Sequence, residues 1–476
     1  GRGALEQDTK GSKTVAIGQG TLNAQNFTTA TDSHNVAVGY QAGVSATTGV
    51  LNTIIGSQAA DAMTTGSTNT ALGFAALGSD VAGNRNTAIG TYALFNQNFS
   101  TSTNGLNVAV GYEAGVQITT GIKNTLIGSN AGDAQTDADF NTAVGNGALT
   151  ANQLGSASTA IGASALATQN PATATSLYNV AVGFETGQAI TTGIRNTLVG
   201  AFAGDTLTTG GNNVAIGLNA LTTEDAGSFN VAIGSEALNT QDAGDAYNVA
   251  VGYRAGKGLT TAITNTLVGS FAGGGAVTGN ANTLIGYATG FNTVTITSGN
   301  SNTCIGANTH PSAADGVSQV VLGTNTTGGG NNTVRIGGLV GHASLSLDGS
   351  DTSWAAASDE RLKKDVAAST AGLSFINALR PVTFKWNAKN AVADDLPQYD
   401  ADSSDPVYGE GKSNHGFIAQ EVKTVIDANS DVLDGHNIWV EDPDGTQQIA
   451  PSALIPMLVK AIQELSAEIE TLKSGG

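Results

Sequence analysis

The nine residues 107-NVAVGYEAG-115 decide the fold. The same phrase reads NVAVGYQAG at 35–43, NVAVGFETG at 179–187 and NVAVGYRAG at 248–256. The first three copies stand 72 residues apart and the fourth follows after 69. Between them recurs a five-residue unit of Asn, Thr or Val, a small or aliphatic residue, Ile/Val/Leu and Gly, as in 52-NTIIG-56, 69-NTALG-73 and 86-NTAIG-90. Most closing glycines are 17 apart, with a step of 21 at Gly18→Gly39, Gly90→Gly111 and Gly162→Gly183. A fixed period of this size belongs to a solenoid, in which each repeat buries itself against its neighbours.

Three small or β-branched residues before a glycine are too few for a helix and read as one short strand. The G-x-x-A phrase that follows, as in Gly39 to Ala42 and Gly73 to Ala76, reads as a second short strand. The residue before each glycine is expected to fill the interior. The residue before that should then face outward. It is Ala at 11 of the 17 rungs through Gly306, and otherwise Ile54, Leu126, Leu198, Leu267, Leu284 or Cys304. An outward face without polar residues implies lateral association of chains. The repeated Asn is expected to form a ladder between rungs. The long rungs (about 21–34, 93–106 and 165–178) are expected to protrude every fourth rung. At about 4.8 Å per strand, eighteen rung steps make a shaft of roughly 90 Å.

Composition divides the chain near residue 357. Residues 1–357 hold 9 of the 19 Lys and Arg, 56 of the 64 Gly and 2 of the 8 Pro. The net charge of −19 argues against nucleic acid and anionic membrane surfaces as partners. No apolar run approaches the ~20 residues of a membrane-spanning helix, so no membrane insertion is expected. The single cysteine, Cys304, forms no intrachain disulfide and sits at a rung position. No cofactor and no metal site are expected. The chain starts at Gly1 rather than Met, and a preceding region that joins it to a larger particle is expected.

The NTAIG, NVAIG and G-x-x-A-L phrases over residues 14–337 resemble the head repeats of trimeric bacterial adhesins. That resemblance implies three parallel β-rolls about a threefold axis. The periods of 17 and 21 are longer than the usual adhesin rung, and no C-terminal membrane barrel follows.

From 358 the pattern is α+β. Ser369 or Thr370 is placed to cap a helix carrying Leu373, Ile376 and Leu379, stopped before Pro381. Val382, Phe384 and Trp386 alternate as a strand, and 415-HGFIAQEVKTVI-426 reads as a strand passing into a helix. In 437-NIWVEDPDGTQQIA-450, Asp442 and Asp444 belong to a turn between two strands. Ile455, Leu458, Ile462, Leu465, Ile469 and Leu472 are spaced 3, 4, 3, 4, 3, a coiled-coil seam.

In order along the chain, Ser358-Asp359-Glu360-Arg361-Leu362-Lys363, Leu379-Arg380-Pro381-Val382, Gly416-Phe417-Ile418-Ala419-Gln420-Glu421-Val422 and the closing helix resemble the intramolecular chaperone domain of phage tailspikes and tail fibres, as in endosialidase tailspikes. The resemblance implies that this domain trimerises the fibre and then cuts itself off. It implies Ser358 as nucleophile on the carbonyl of Ala357, Lys363 as base and His415 as an assisting group. A serine hydroxyl needs such a base, and a desolvated lysine supplies one. Read alone, Ser358 before Asp-Glu-Arg is also a helix N-cap.

The chain is therefore predicted to be mainly β: a homotrimeric parallel β-roll or β-helix shaft over 1–306, terminal rungs and tip over 307–357, and a chaperone domain over 358–476 ending in a coiled-coil helix. The expected role is the distal part of a tail fibre in a virion, binding a host surface receptor such as a glycan or outer-membrane component. The alternatives are a polysaccharide-degrading tailspike and a bacterial adhesin or filament. Against the former, Asp61, Asp133 and Asp205 follow the 72-residue repeat rather than breaking it.

Overall fold

Each Asn-x-x-x-Gly phrase forms one three-residue strand, paired in parallel with the same strand of the next rung. Val15–Ile17 pairs with Val36–Val38, which pairs with Thr53–Ile55, and the ladder continues in chain order to Val320–Gly323. The register is strict: Val36 lies opposite Thr53, Ala37 opposite Ile54, Val38 opposite Ile55. The computed structural model describes every residue except 276, 339–340, 348–354, 357–359, 361–362, 395, 397, 409–410, 433–437, 442–444 and 476. The chain divides into two units, Gly1–Ala357 and Ser358–Gly476.

The interior side chain of each rung is the middle strand residue, which corrects the expected assignment. Ala37, Ile54, Ala71 and Leu126 are fully buried, whereas the residues before glycine face outward, with Ile17, Leu72 and Ile127 exposed by 60, 42 and 39 %. The roll is narrow enough to trade volume between strand and turn. Where the strand centre is Leu126, the adjacent turns carry glycine: a Cβ on Gly115 or Gly132 would lie 2.7 or 2.9 Å from a Leu126 methyl. Where the centre is Ala71 or Ala143, the turn carries buried Leu77 or Leu149. This exchange explains the many alanines without an apolar outer partner for them. It leaves a different stripe, the Val, Ile and Leu before each glycine, on the outside.

The G-x-x-A phrase forms a turn rather than a second strand. Glu113 and Gly115 both adopt left-handed backbone, with φ of 54° and 60°. Their N–H groups still reach neighbouring rungs, Glu113 to Thr91 O and Gly115 to Ala131 O, both at 3.0 Å. Two left-handed residues thus turn the chain sharply without orphaning its donors. The closing glycine is more constrained. Gly145 has φ of 141°, and a Cβ there would lie 2.4 Å from Gly162 O of the next rung.

The Asn ladder forms as expected. Asn35, Asn52 and Asn69 each accept, through Oδ1, the backbone N–H of the next Asn at 2.9 Å. Asn52 Nδ2 donates to Gly66 O at 2.9 Å. The ladder changes every fourth rung, at Thr14, Asn86, Ser158 and Asn230, which stand 72 apart. There the inserted chain displaces the acceptor, and Asn86 Nδ2 and Asn230 Nδ2 have no partner among the described residues.

The long rungs are tied down rather than free. Thr103–Asn104 pairs in parallel with Gly83–Asn84, and Thr175–Ser176 with Gly155–Ser156. A buried polar bridge supports the first of these pairs. Asp80 accepts the Gly83 N–H at 3.0 Å and Gln97 Nε2 at 2.7 Å, and Gln97 Oε1 accepts Asn107 Nδ2 at 2.8 Å. Glu224 and Gln241 repeat the arrangement. Burial pushes the carboxyls of Asp80 and Glu224 above the ordinary range, opposed by these hydrogen bonds.

The parallel ladder ends where Thr333–Gly337 pairs in parallel with Val320–Gly323 and antiparallel with His342–Ser346. Ala355–Ala356 then adds an antiparallel edge to His342–Ser346. Cys304 lies fully buried in the ladder, and burial pushes its thiol up to about 12.

In the second unit, helices α1 (Leu373–Ala378), α2 (Ala419–Asp427) and α3 (Ile455–Ser474) surround a core of Phe375, Val422, Ile426, Leu454 and Met457. The strand Val382–Phe384 pairs antiparallel with Asn414–Gly416, and Trp439–Glu441 with Gln447–Ile449. Trp386 lies beyond the first strand. The turn carrying Asp442 and Asp444 lies outside the described residues.

Two substitutions test this core in opposite directions. Gly145→Ala should lower the thermal midpoint sharply, because the backbone conformation alone costs about 1–3 kcal/mol before the clash. Gln135 is fully buried with neither amide atom bonded among the described residues, in the column that holds Met63 and Leu207 one superperiod away. Gln135→Leu should therefore raise the midpoint, by relieving about 1–3 kcal/mol of unmet hydrogen bonding. A thermal melt of each variant beside the wild type checks both.

Candidate functional site

The residues expected to perform chemistry are Ala357, Ser358, Lys363 and His415. Ala357, Ser358, Asp359 and Arg361 lie outside the described residues. Lys363 is exposed, and its backbone N–H donates to Glu360 O at 3.0 Å. His415 is exposed at the centre of Asn414–Gly416, opposite Thr383.

The remaining motif residues form a framework. Gly416 lies against Phe384, whose ring atom Cε1 would be 3.2 Å from an added Cβ. Phe417 packs on the core from its edge. Gln420 opens α2, and its carbonyl accepts the Thr424 hydroxyl at 2.9 Å. Glu421 and Arg380, 41 residues apart in sequence, form a two-pronged ion pair, with Arg380 Nε donating to Glu421 Oε2 at 2.9 Å. The guanidinium holds the Glu421 carboxyl below its ordinary range. The Leu-Arg-Pro-Val and Gly-Phe-Ile-Ala-Gln-Glu motifs are thus physically joined.

An open cavity of about 1230 Å³ lies beside this framework, lined among others by Phe384, Trp386, Tyr408, His415 and Phe417. Trp386 meets Phe384 and Tyr408 edge-on, with centroids 5.2 and 4.9 Å away. The alternation of Phe384 and Trp386 signalled a strand in the sequence. It gave no sign of a cavity closed by Tyr408 across the acidic loop.

Helix α1 is capped differently from expectation. Gly372 stands at its N-cap, and neither Ser369 nor Thr370 supplies the hydrogen bond. Glu464 of α3 does so instead, accepting the Leu373 N–H at 2.7 Å. A Cβ on Gly372 would lie 2.3 Å from Glu464 Oε2, so a side chain there would displace the capping carboxylate. No local pattern announces a cap from 91 residues away.

Helix α3 has two apolar faces. Met457 and Ala461 are buried in the domain. The seam residues Ile455, Leu458, Ile462, Leu465, Ile469 and Leu472 are exposed, by 76 % at Leu472. A stripe of this length on one helix is an extended exposed apolar surface, of the kind that marks an interaction site.

Repeat geometry keeps Asp61, Asp133 and Asp205 apart from one another. Asp61, Asp133 and Asp205 stand four rungs apart, roughly 19 Å at ladder spacing, beyond the reach of paired glycosidase carboxylates. Glu224, Asp225 and Asp242 lie close enough to share a cation. Both Glu224 oxygens, however, already accept hydrogen bonds from Gly227, Gln241 and Ala243.

Residues 358–430 match the family described as chaperone of endosialidase. No curated protein and no solved structure matches the chain. A long β-solenoid followed by this chaperone fits a protein of tailspike or endosialidase type.

The Glu464 cap predicts a pH dependence. The Leu373 N–H holds the Glu464 carboxyl below its ordinary range, against a raising effect of burial. A depressed carboxyl stabilises above its unfolded value near 4.3, and that contribution is lost as pH falls through the folded value. Amide exchange at Leu373–Phe375, corrected for intrinsic rate, should accelerate on acidification below about pH 4. In Glu464→Gln it should already be fast at neutral pH and lack that step.

Proposed function

We propose that this chain is the distal part of a tail fibre or tailspike, assembled as a homotrimer by its C-terminal unit, and that it contacts the host surface from a virion. The observation that carries the reading is a pair of uncovered apolar faces on a chain with a chaperone-family match. One is the outer strand stripe, with Ile17, Ile161 and Ile305 exposed by 60, 39 and 40 %. The other is the α3 seam. A common threefold axis satisfies both, as heptad-spaced Ile and Leu require partner helices.

The maturation step is a cut between Ala357 and Ser358. Ser358 Oγ attacks the Ala357 carbonyl carbon, forming an ester as the C–N bond breaks. The hydroxyl proton passes through Lys363 to the leaving amine. Water then hydrolyses the ester, releasing the Ala357 carboxylate and a free Ser358 amino terminus. A lysine serves as base when desolvated, and Lys363 is exposed in the single chain. The cut is therefore tied to assembly, with a neighbouring copy completing the site.

Intact-mass spectrometry tests the step. The wild type should give fragments 1–357 and 358–476, while Ser358→Ala and Lys363→Met stay whole. Ile462→Asp with Leu465→Asp, which breaks the seam, should also stay whole. An uncut wild type removes the autocleavage reading. A cut seam variant that is monomeric removes the link to assembly.

A further inference from the structure

One interior column of the shaft is the fourth residue after each closing glycine. Over its first sixteen rungs, from Leu22 to Gly290, it holds Leu, Gly or Ala alone. The seventeenth is His310. Its side chain is 2 % exposed, and Nδ1 has no hydrogen-bond partner among the described residues. The backbone holds the ring there. The His310 N–H donates to Thr326 O at 3.0 Å, and His310 O accepts the Gly328 N–H at 2.7 Å. The register of the ladder thus carries an imidazole into a position that the repeat keeps apolar.

The surroundings offer a protonated ring no counter-charge. Residues 258–314 contain no Asp, Glu, Lys or Arg. The cavity of about 230 Å³ beside His310 is otherwise lined by Asn292, Thr293, Asn308, Asn325 and Thr327, all uncharged. Asp315, in the loop that follows, is exposed. Cys304 in the same rung is buried with its thiol pushed up to about 12, so it stays neutral. From the last rung, Arg335 Nη1 donates to Thr327 O at 2.9 Å, and Arg335 Nε has no partner among the described residues. The charge that does approach is therefore positive. The other histidine of these rungs, His342, is exposed opposite Gly337.

We propose that His310 is an acid-sensitive latch at the end of the shaft. As a neutral ring it fills the interior and keeps the terminal rungs closed. Once protonated it sets an uncompensated cation inside the roll, next to a rung that already carries Arg335. The strands Thr303–Ile305 and Val320–Gly323 then open locally, while the ladder upstream stays closed. Burial pushes the imidazole below its ordinary range, so the folded rungs favour the neutral form. Their stability is full above the unfolded value near 6.5 and falls as pH drops below it, until the folded value is reached. The inference goes beyond the proposed role and needs neither the cut nor host contact.

Amide exchange of the assembled protein between pH 7.5 and 5, corrected for intrinsic rate, tests it. Exchange in Thr303–Ile305 and Val320–Gly323 should accelerate by up to about tenfold per pH unit below about 6.5, and exchange in Val108–Val110 should not. His310→Leu, which supplies the side chain found in this column at Leu221 and Leu238, should lose the acid step. His310→Gln, uncharged at every pH, should lose it too, which keeps the result independent of how leucine packs. His342→Gln should keep the step. No acceleration in the wild type down to pH 5 overturns the latch. So does a step that survives in both His310 variants, one that disappears in His342→Gln, or one shared equally by Val108–Val110.

Discussion

Every rung of this shaft passes a glycine across the carbonyl of the glycine in the next rung. At Gly56 and Gly111 an added Cβ would lie 2.2 and 2.4 Å from that oxygen. The contact is between backbones, so no side-chain adjustment relieves it. It fixes the register of each strand on its neighbour, and register then sets which residue points inward. The Asn ladder, the exchange of Leu between strand and turn, and the outward stripe all follow from that register. The buried polar bridges at Asp80 and Glu224 are the local answer where a longer rung interrupts it.

The same constraint leaves apolar side chains on the outside. A rung closed by stacked glycines is narrow, and the ladder Asn, the middle strand residue and turn residues such as Ala59, Ala60 and Met63 fill its interior. The Ile, Val or Leu before each glycine is then pushed outward along the whole ladder. In the C-terminal unit, α3 repeats the situation, burying Met457 and exposing Ile462 and Leu465. Two unrelated architectures in one chain thus present extended exposed apolar surface.

The period and the strand were legible in the sequence because a glycine without alternative recurs at every rung and an Asn with a fixed hydrogen-bonding task at most of them. The inward face was not. Both outer and inner strand positions are apolar, so alternation carried no contrast, and the compensation between Leu126 and Gly115 appears only across rungs. The turn at Glu113–Gly115 was also hidden, since left-handed conformation in non-glycine residues has no compositional mark. In the second unit, the order of motifs predicted a chaperone domain, and the ion pair of Arg380 with Glu421 joins two of them. The cap from Glu464 was invisible because it joins residues 91 apart through tertiary packing alone.

The account turns on the outer strand stripe being covered by other copies of the same chain. Sedimentation equilibrium of the purified protein over the micromolar range tests this most directly. A mass of three chains, unchanged on dilution, is the predicted result. A stable single-chain mass across that range, with the shaft folded, would contradict it.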